Sequence, residues 1–494
     1  MWVKVTGTWV NPNVTAMFLA MAMPALLILL QKAHRYQKIA LAVLVMSIIS
    51  IVLLKCRTAV IGGCVSAAIV LNYRYNLFQK LKNNYKGIKL AVIGTLGLTI
   101  LLLAGIYLYS VKQASSNGRK LVWKVSLNMV AEKPLTGYGY GLFEHDYNLA
   151  QAAYFSEGKG TANEINNASF VRMAYSEFVE NAVEGGLPAL LIFTGLLLSL
   201  VIKVPSAEID EAKGKRVKLT SNSKAFSTAI PKNITAIAAY AGIVCFAVMS
   251  IFNFTVQAIP VMCLFMVYAA LLVNSPARKA NTSFFKKISF PVWLQKFHFS
   301  DWAKCACACI IMLIAGYMCI YGFWVANAFL QNKNALAMTK YGNRMEAISI
   351  LQPMQNRLSN SEIYWRTYAN VSKMNNQYAD ALNKYNKALT LTSDPDLYLS
   401  IGNCNYKLKQ YDEAKKAYLM AGNIQPNRLK PRYALMKLYQ YISDTINVLK
   451  TANEILAMQP KGISKEALFY KKEAAEVVGQ MKGQLVIVNK PLSQ

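Results

Sequence analysis

The sequence predicts an all-α protein in which a polytopic helical membrane domain is followed by an α-solenoid. Of the 494 residues, 54% are hydrophobic and only 16% are charged, which is unusual for a soluble globular domain. The apolar residues form long stretches in the first two thirds of the chain. The last third is polar and repeats a pattern of small and aromatic residues. The chain is therefore expected to have a part suited to lipid followed by a part suited to water.

Long apolar segments predict about eight transmembrane helices in a membrane domain that covers 1–327. A helix needs roughly 20 apolar residues to cross a bilayer, and within lipid only a helix satisfies its own backbone groups. From Asn233 to Asn274 the chain has no Asp, Glu, Lys or Arg. The predicted spans are 14–31, 39–54, 58–73, 88–110, 187–203, 234–252, 256–274 and 304–326.

The distribution of basic residues predicts the orientation of these spans. Four connecting segments rich in Lys and Arg fall on one side, which is therefore expected to be cytoplasmic: 32–38, 74–89, 203–233 and 275–304. The opposite side receives the long loop 111–186 and everything after the last span. We predict the inner membrane of a bacterium, with this loop and the C-terminal part in the periplasm. The net charge of +30 reflects this arrangement, since no nucleic-acid-binding module accompanies it.

Cysteine spacing does not predict a metal site. Nine cysteines occur, mostly within apolar stretches. Cys305, Cys307 and Cys309 open an apolar segment and lack the CxxC spacing typical of zinc ligands. We interpret them as small apolar residues of a helix.

An internal repeat covers 328–480. One set of four small and aromatic residues recurs 33 residues later: Tyr378, Ala381, Tyr385 and Ala388 return as Tyr411, Ala414, Tyr418 and Ala421. This spacing is typical of tetratricopeptide repeats, in which small residues let paired helices approach and aromatic residues fill the gap. We predict about four hairpins over 328–460, a capping helix at 464–480 and a tail at 481–494. Such arrays usually hold a partner on a concave surface, so a protein partner is expected here.

The 76-residue loop 111–186 is long enough to be functional. It contains GRKLVW at 118–123, which resembles an interfacial helix, and the glycine-rich KPLTGYGYGLF at 133–143. It ends with AYSEFV at 174–179 and VEGGLPALL at 183–191.

These motifs resemble the large periplasmic loop of the O-antigen ligase family, which also includes O-antigen polymerases and pilin-type O-oligosaccharyltransferases. VTGTWVNPN at 5–13 and LLKCRTAVIGG at 53–63 resemble two further family features. The resemblance covers 1–203 well and 234–275 by hydropathy, and some members carry tetratricopeptide tails. Family members usually have several more helices ahead of the first motif, so the resemblance implies an N-terminal truncation or a wrongly chosen start.

The resemblance implies glycan transfer from an undecaprenyl diphosphate carrier to an acceptor hydroxyl on lipid A-core or protein. This chemistry uses no metal, nucleotide sugar or other cofactor. A diphosphate leaving group needs fixed cations, and Arg supplies a permanently charged, forked set of donors. Arg57 and Arg119 match the two arginine positions of the family. The alternative for each is an interfacial arginine at the end of a span.

The acceptor hydroxyl needs a general base within hydrogen-bonding reach. Many family members have a His-Asn pair before the acidic residue of this helix, where this chain has Tyr175-Ser176-Glu177. Tyrosine is a poor base at neutral pH, so Glu177 becomes the best base candidate, with Glu184 and His145 behind it. The predicted catalytic set is therefore Arg57, Arg119, Tyr175 and Glu177.

Three functions follow from these observations. The first is an O-antigen ligase-like glycosyltransferase involved in lipopolysaccharide biosynthesis, and the second is a repeat-unit polymerase or a ligase that glycosylates protein. The third is a non-catalytic membrane scaffold that recruits envelope proteins through its repeats. The replaced histidine favours the scaffold, whereas the two arginines and the glycine-rich loop favour an enzyme.

Overall fold

The computed structural model describes residues 11–32, 34–84, 113–205, 233–275, 301–459 and 464–488. All of its regular elements in these ranges are helices. The chain divides into two compact units. The first, here called the membrane unit, comprises Met1–Tyr140 and Met173–Asn281, and the second, the repeat unit, comprises Gly141–Arg172 and Thr282–Gln494.

The described helices of the membrane unit include one central helix, α9, on which four of the others pack. They are α1 (Pro12–Lys32), α2 (Gln37–Leu53), α3 (Arg57–Tyr75), α4 (Leu77–Asn84), α5 (Gln113–Glu132), α8 (Glu177–Ile202), α9 (Ile234–Phe252) and α10 (Ile259–Val273). Helix α9 contacts α1, α3, α8 and α10. Small residues allow this close packing, since a Cβ atom added at Gly62 of α3 would lie 2.9 Å from the side chain of Met249 in α9. The buried core of the unit is therefore built on α9.

The outer surface of the membrane unit is apolar. Ile39 and Met46 of α2, and Leu191 and Ile192 of α8, are exposed although they are large hydrophobic residues. Such a surface suits lipid rather than water. In the described part of the chain, four helices are long and apolar enough to cross a membrane, within Pro12–Leu30, Glu177–Ile202, Ile234–Phe252 and Met312–Thr339.

Seven of the eight predicted spans fall on described helices. Of these, α2 and α10 are apolar but shorter, at 17 and 15 residues. The predicted span 88–110, most of the basic segments 203–233 and 275–304, and residues 489–494 of the predicted tail lie outside the described residues. The number of spans and the domain boundaries stay predictions.

In its described residues, the repeat unit contains four successive helical hairpins and a last helix. The helices are α11 (Asp301–Lys340), α12 (Arg344–Leu351), α13 (Glu362–Met374), α14 (Tyr378–Leu389), α15 (Pro395–Lys407), α16 (Tyr411–Ile424), α17 (Leu429–Tyr441), α18 (Thr445–Ala457) and α19 (Lys465–Val488). Each helix from α11 to α18 pairs with the next, and α19 packs on α17 and α18. The first hairpin uses the C-terminal half of α11, where Ala328 and Ala335 are buried in the array.

The repeat pattern is explained by this packing. The small residues at the repeated positions, Ala381, Ala388, Ala414 and Ala421, are completely buried. Gly402 of α15 faces the ring of Tyr418 in α16, and a Cβ atom there would lie 2.4 Å from the ring. The predicted fold class, membrane helices followed by tetratricopeptide-type hairpins, is confirmed.

Two further helices belong to the repeat unit although they come from the long loop. They are α6 (Phe143–Ser156) and α7 (Ala162–Asn167), and α6 packs on α16. Helix α7 begins with a capping box, in which Thr161 and Glu164 satisfy each other's backbone N–H groups.

Candidate functional site

The two predicted arginines are brought together by the N-terminal parts of α3 and α5. Arg57 is the first residue of α3, and its Nη1 donates to the Ser116 hydroxyl of α5 over 3.3 Å. Arg119 follows Ser116 by three residues, almost one helical turn. The charge of Arg57 is close enough to lower the pKa of Arg119. Arg57 and Arg119, the two predicted cations, therefore lie close together in the structure.

Arg119 is held between a helix end and an aromatic ring. Its Nη1 donates to the carbonyl of Phe252, the last residue of α9, over 2.7 Å. Its Cζ lies 4.9 Å from the centroid of the Tyr175 ring, a cation–π contact. Burial is the main reason that its pKa is lowered, and the guanidinium still stays charged at any physiological pH. The bond to Phe252 uses one of five N–H donors, so the group can also bind an anion.

Tyr175 has a strained backbone. Its φ of 55° lies in the left-handed region, which costs a residue with a side chain about 1–2 kcal/mol. Two hydrogen bonds fix the preceding residue, Ala174, and so stabilise this conformation. The Ala174 N–H donates to Glu180 Oε2 over 2.8 Å, and the Ala174 carbonyl accepts from Trp123 Nε1 over 2.9 Å. Such over-determined strain is characteristic of functional sites.

Two buried glutamates at the start of α8 bind the connection between α9 and α10. Glu177 Oε1 accepts from the backbone N–H of Val256 over 2.7 Å, and the residue is only 4% exposed. Glu180 accepts from the side-chain amide of Gln257 as well as from Ala174. The carboxylates therefore join the Tyr175 turn to residues more than 70 positions later in the chain.

The same connection is tied to the start of α3. Asn253 donates its side-chain amide to the hydroxyl of Thr58 over 2.9 Å, next to Arg57. Ser250 and Thr255 bond to each other over 2.6 Å. All four groups are buried. The residues around Arg57, Arg119 and Glu177 consequently form one hydrogen-bonded assembly.

The glycine-rich loop packs on a kink in α8. The N–H groups of Tyr138 and Gly139 donate to the carbonyls of Val183 and Glu184 over 2.9 and 2.8 Å. The Leu187 N–H donates to the Pro134 carbonyl over 2.7 Å, across the non-helical Gly186. Backbone hydrogen bonds therefore join the two sequence motifs KPLTGYGYGLF and VEGGLPALL.

Residues 14–194 match the family model described as O-antigen ligase. The predicted O-antigen ligase domain is confirmed. The match includes all four residues of the predicted catalytic set and both halves of the glycine-rich contact. It supports a membrane glycosyltransferase of ligase or polymerase type, which acts on a lipid-linked glycan and an acceptor.

Solved structures similar to this chain match only part of it. MamA is 16% identical, over 29% of this chain and 94% of its own, with a TM-score of 0.24. YrrB, described as a TPR protein with an unusual peptide-binding site, is 16% identical over 33% of this chain and 86% of its own, with a TM-score of 0.26. A Podosopora anserina putative kinesin light chain with TPR-like repeats is 15% identical over 34% and 98%, with a TM-score of 0.26. No curated protein matches the chain.

The two further base candidates differ in their placement. Glu184 is buried in α8 of the O-antigen ligase domain, where its carbonyl accepts from Gly139. His145 belongs to the repeat unit, and its Nδ1 lies 2.8 Å from Asp146 Oδ1. His145 is therefore not grouped with the arginines.

Sequence reasoning missed Glu180 and Gln257. Glu180 follows Glu177 by three residues on the same helix, a signal that could have been used. Gln257 is the second residue of the predicted span 256–274, and nothing in the sequence around it indicates a carboxylate partner 77 residues earlier. Within the described ranges, no group of three His, Cys, Asp or Glu residues is placed to hold a metal ion.

Proposed function

We propose that this protein is an O-antigen ligase-like glycosyltransferase. It transfers a glycan from an undecaprenyl diphosphate carrier to a hydroxyl of lipid A-core or protein, at the periplasmic face of the inner membrane. The observation that carries the proposal is the convergence of Arg57 and Arg119 from two helices within the O-antigen ligase domain. Neighbouring guanidinium groups repel each other, and an anion between them relieves that repulsion.

The diphosphate of the donor is the anion that this pair suits. Two forked guanidinium groups can each offer paired donors to phosphate oxygens. In the proposed reaction, the acceptor oxygen attacks the anomeric carbon from the face opposite the diphosphate. The bond from that carbon to the phosphate oxygen breaks, and the diphosphate leaves with the electron pair. Arg57 and Arg119 stabilise the charge that develops on it.

Glu177 is the proposed general base, which takes the proton of the acceptor hydroxyl. The Val256 N–H bonds to one of its oxygens, and Thr255 also bonds to the carboxylate, so the group is held in a fixed orientation for this role. Tyr175 is proposed to act beside it, since the Tyr175 ring supports the Arg119 guanidinium. The Tyr175 hydroxyl does not act as the base in this reaction, because tyrosine is a poor base at neutral pH.

The test is replacement of Arg119 by Ala in a strain lacking the chromosomal gene. Lipopolysaccharide and glycoprotein ladders are then compared at equal amounts of the protein in the membrane. Removing one donor of developing charge typically slows a reaction by roughly 100-fold, so the glycan ladder should be lost. Loss of the lipopolysaccharide ladder together with any single repeat unit on lipid A-core identifies lipid A-core as the acceptor, whereas a remaining single unit indicates a polymerase. A lost glycoprotein ladder identifies protein as the acceptor.

Arg74→Ala is the matched control. Arg74 lies in the last turn of the helix that Arg57 begins, and its guanidinium rests on the Tyr75 ring. The two arginines are 17 positions apart in one helix, which places them about 25 Å apart along its axis. Arg74→Ala should leave the ladders intact, while Arg57→Ala should behave like Arg119→Ala. Unchanged ladders in the Arg119→Ala strain would show that the proposal is wrong.

A further inference from the structure

Part of the long loop belongs to the repeat unit. Residues 141–172 begin with the last three residues of the glycine-rich segment 133–143, and two residues separate their end from Tyr175. In the structure they form α6 and α7 and group with the repeats. The segment 141–172, here called the docking segment, is thus covalently continuous at both ends with site residues.

The docking segment binds equivalent turns of two consecutive repeats. In the turn before α15, the Ser393 hydroxyl donates to the His145 carbonyl over 2.8 Å. In the turn before α17, the Asn427 amide donates to the carbonyls of Asn166 and Ala168 over 2.9 and 2.7 Å. Ser393 and Asn427 are 34 residues apart, which is one repeat period. The segment therefore follows the spacing of the array.

A buried glutamine joins the middle of the segment to α16. Gln151 is completely buried, and its amide donates to the carbonyl of Ile424, the last residue of α16, over 2.7 Å. The same amide donates to the Ser169 carbonyl over 3.1 Å, and the Tyr147 hydroxyl donates to Gln151 Oε1 over 2.9 Å. Helix ends leave carbonyls without intrahelical partners, so this bond satisfies one of them. A buried polar side chain with several partners is costly to separate from them.

The partners of Gln151 explain why the contact is specific. An apolar helix could slide along the array, whereas a buried amide must meet particular carbonyls. The bonds at Ser393, Gln151 and Asn427 fix the position of the segment at three places.

We propose that the repeat array is an internal receptor for the docking segment, and that it thereby positions the loop that carries the glycine-rich motif and the Tyr175 turn. The second half of this proposal rests on the proposed function. Holding both ends of a 32-residue segment removes conformational freedom from the chain next to each end. Catalysis then benefits because less ordering is needed when the donor and acceptor bind.

Hydrogen exchange of the full-length protein in detergent tests the docking. The variant Gln151→Ala/Asn427→Ala removes one anchor from the segment and one from the array. Amide protection over 143–156 should fall roughly 10- to 100-fold, because the buried bond of Gln151 to Ile424 and the partly exposed bonds of Asn427 are lost. Protection of α13 to α18 should stay near that of the wild type.

The matched control is Tyr364→Phe/Tyr385→Phe, which also removes two hydrogen bonds. These hydroxyls donate to Leu351 and Asn370 within the array, over 2.9 and 2.6 Å. Protection over 143–156 should not change in the control. Unchanged protection of this segment in Gln151→Ala/Asn427→Ala, or an equal loss throughout the array, would overturn the docking.

Glycan ladders test the positioning. The docking variant should reduce transfer about tenfold, and the control should not. A released segment with normal transfer would overturn the positioning, while the loss of ladders in Arg119→Ala would still support the proposed function. Intact ladders in Arg119→Ala would disprove the proposed function, and hydrogen exchange would still decide the docking.

Discussion

The two units both use glycine to bring chain segments close together, but the neighbours of the glycines differ. In the membrane unit, a Cβ atom at Gly137 would lie 2.3 Å from the carbonyl oxygen of Glu184, and one at Gly186 would lie 2.6 Å from that of Pro134. Both glycines have positive φ. In the repeat unit, Gly402 is helical and faces the Tyr418 side chain.

This difference shows two ways of building a close contact. Backbone carbonyls at this contact cannot move away, because each is fixed by a hydrogen bond: Val183 accepts from Tyr138, Glu184 from Gly139 and Pro134 from Leu187. A tyrosine ring between helices is a side chain, so it can make room by turning about its own side-chain bonds. The contact in the membrane unit joins two particular backbone segments, whereas the small and aromatic positions of the repeats recur along the array.

The largest effect that this comparison predicts is for Gly137→Ala. The substitution combines a strained backbone with a collision against a fixed carbonyl, and should destabilise the protein by about 3 kcal/mol or more. Thermal unfolding in detergent measures it. Gly141→Ala is the control, because Gly141 also has positive φ but no neighbour within 4 Å of the added Cβ. It should cost about 1–2 kcal/mol, the backbone strain alone. Equal losses in the two variants would contradict the contact with Glu184.

A smaller effect is expected for Gly402→Ala. The added methyl group must displace the Tyr418 ring, which should cost about 1–3 kcal/mol. Hydrogen exchange should show the loss mainly in α15 and α16, because repeats contact only their neighbours. Gly479→Ala in α19 has open space around it and should stabilise that helix by up to about 1 kcal/mol. An equal loss of amide protection in both units would contradict the expectation that this substitution acts locally.

The smallest predicted effect is a pH dependence of the docking segment. Burial raises the pKa of Glu144 above its ordinary 4.5, while the hydrogen bond from Thr392 and the charge of Arg172 oppose this; Glu362 and Asp394 add to the rise. A raised pKa in the folded state means that protonation stabilises docking. This contribution is complete below about pH 4.5 and is lost as the pH rises through the folded-state pKa.

Protection over 143–156, corrected for the intrinsic exchange rate, should therefore be higher at about pH 5 than at about pH 8, by less than about tenfold. Glu144→Gln should remove the dependence. Glu157→Gln is the control, because Glu157 lies after α6 and pairs with Lys159 at an exposed position. A stronger protection at the higher pH would contradict the assigned direction.

The features that the sequence predicted are those with a regular residue pattern. The hairpins could be located from Ala381, Tyr385, Ala414 and Tyr418, because each repeat must bury the same positions against its neighbour. The apolar spans could be located because lipid demands long uncharged helices. Arg57 and Arg119 could be named only through their likeness to a family, since nothing in their spacing indicates that they meet.

The sequence by itself determined the helical class, the repeats and the motifs of the O-antigen ligase domain, because these depend on local composition and regular spacing. Tertiary structure alone decided that Arg119 rests on Tyr175 and that Glu180 binds Gln257, 77 residues away. It also decided that Gln151 bonds to Ile424, 273 residues away. Such contacts depend on how buried donors and acceptors are matched across the fold, and no short pattern encodes that matching.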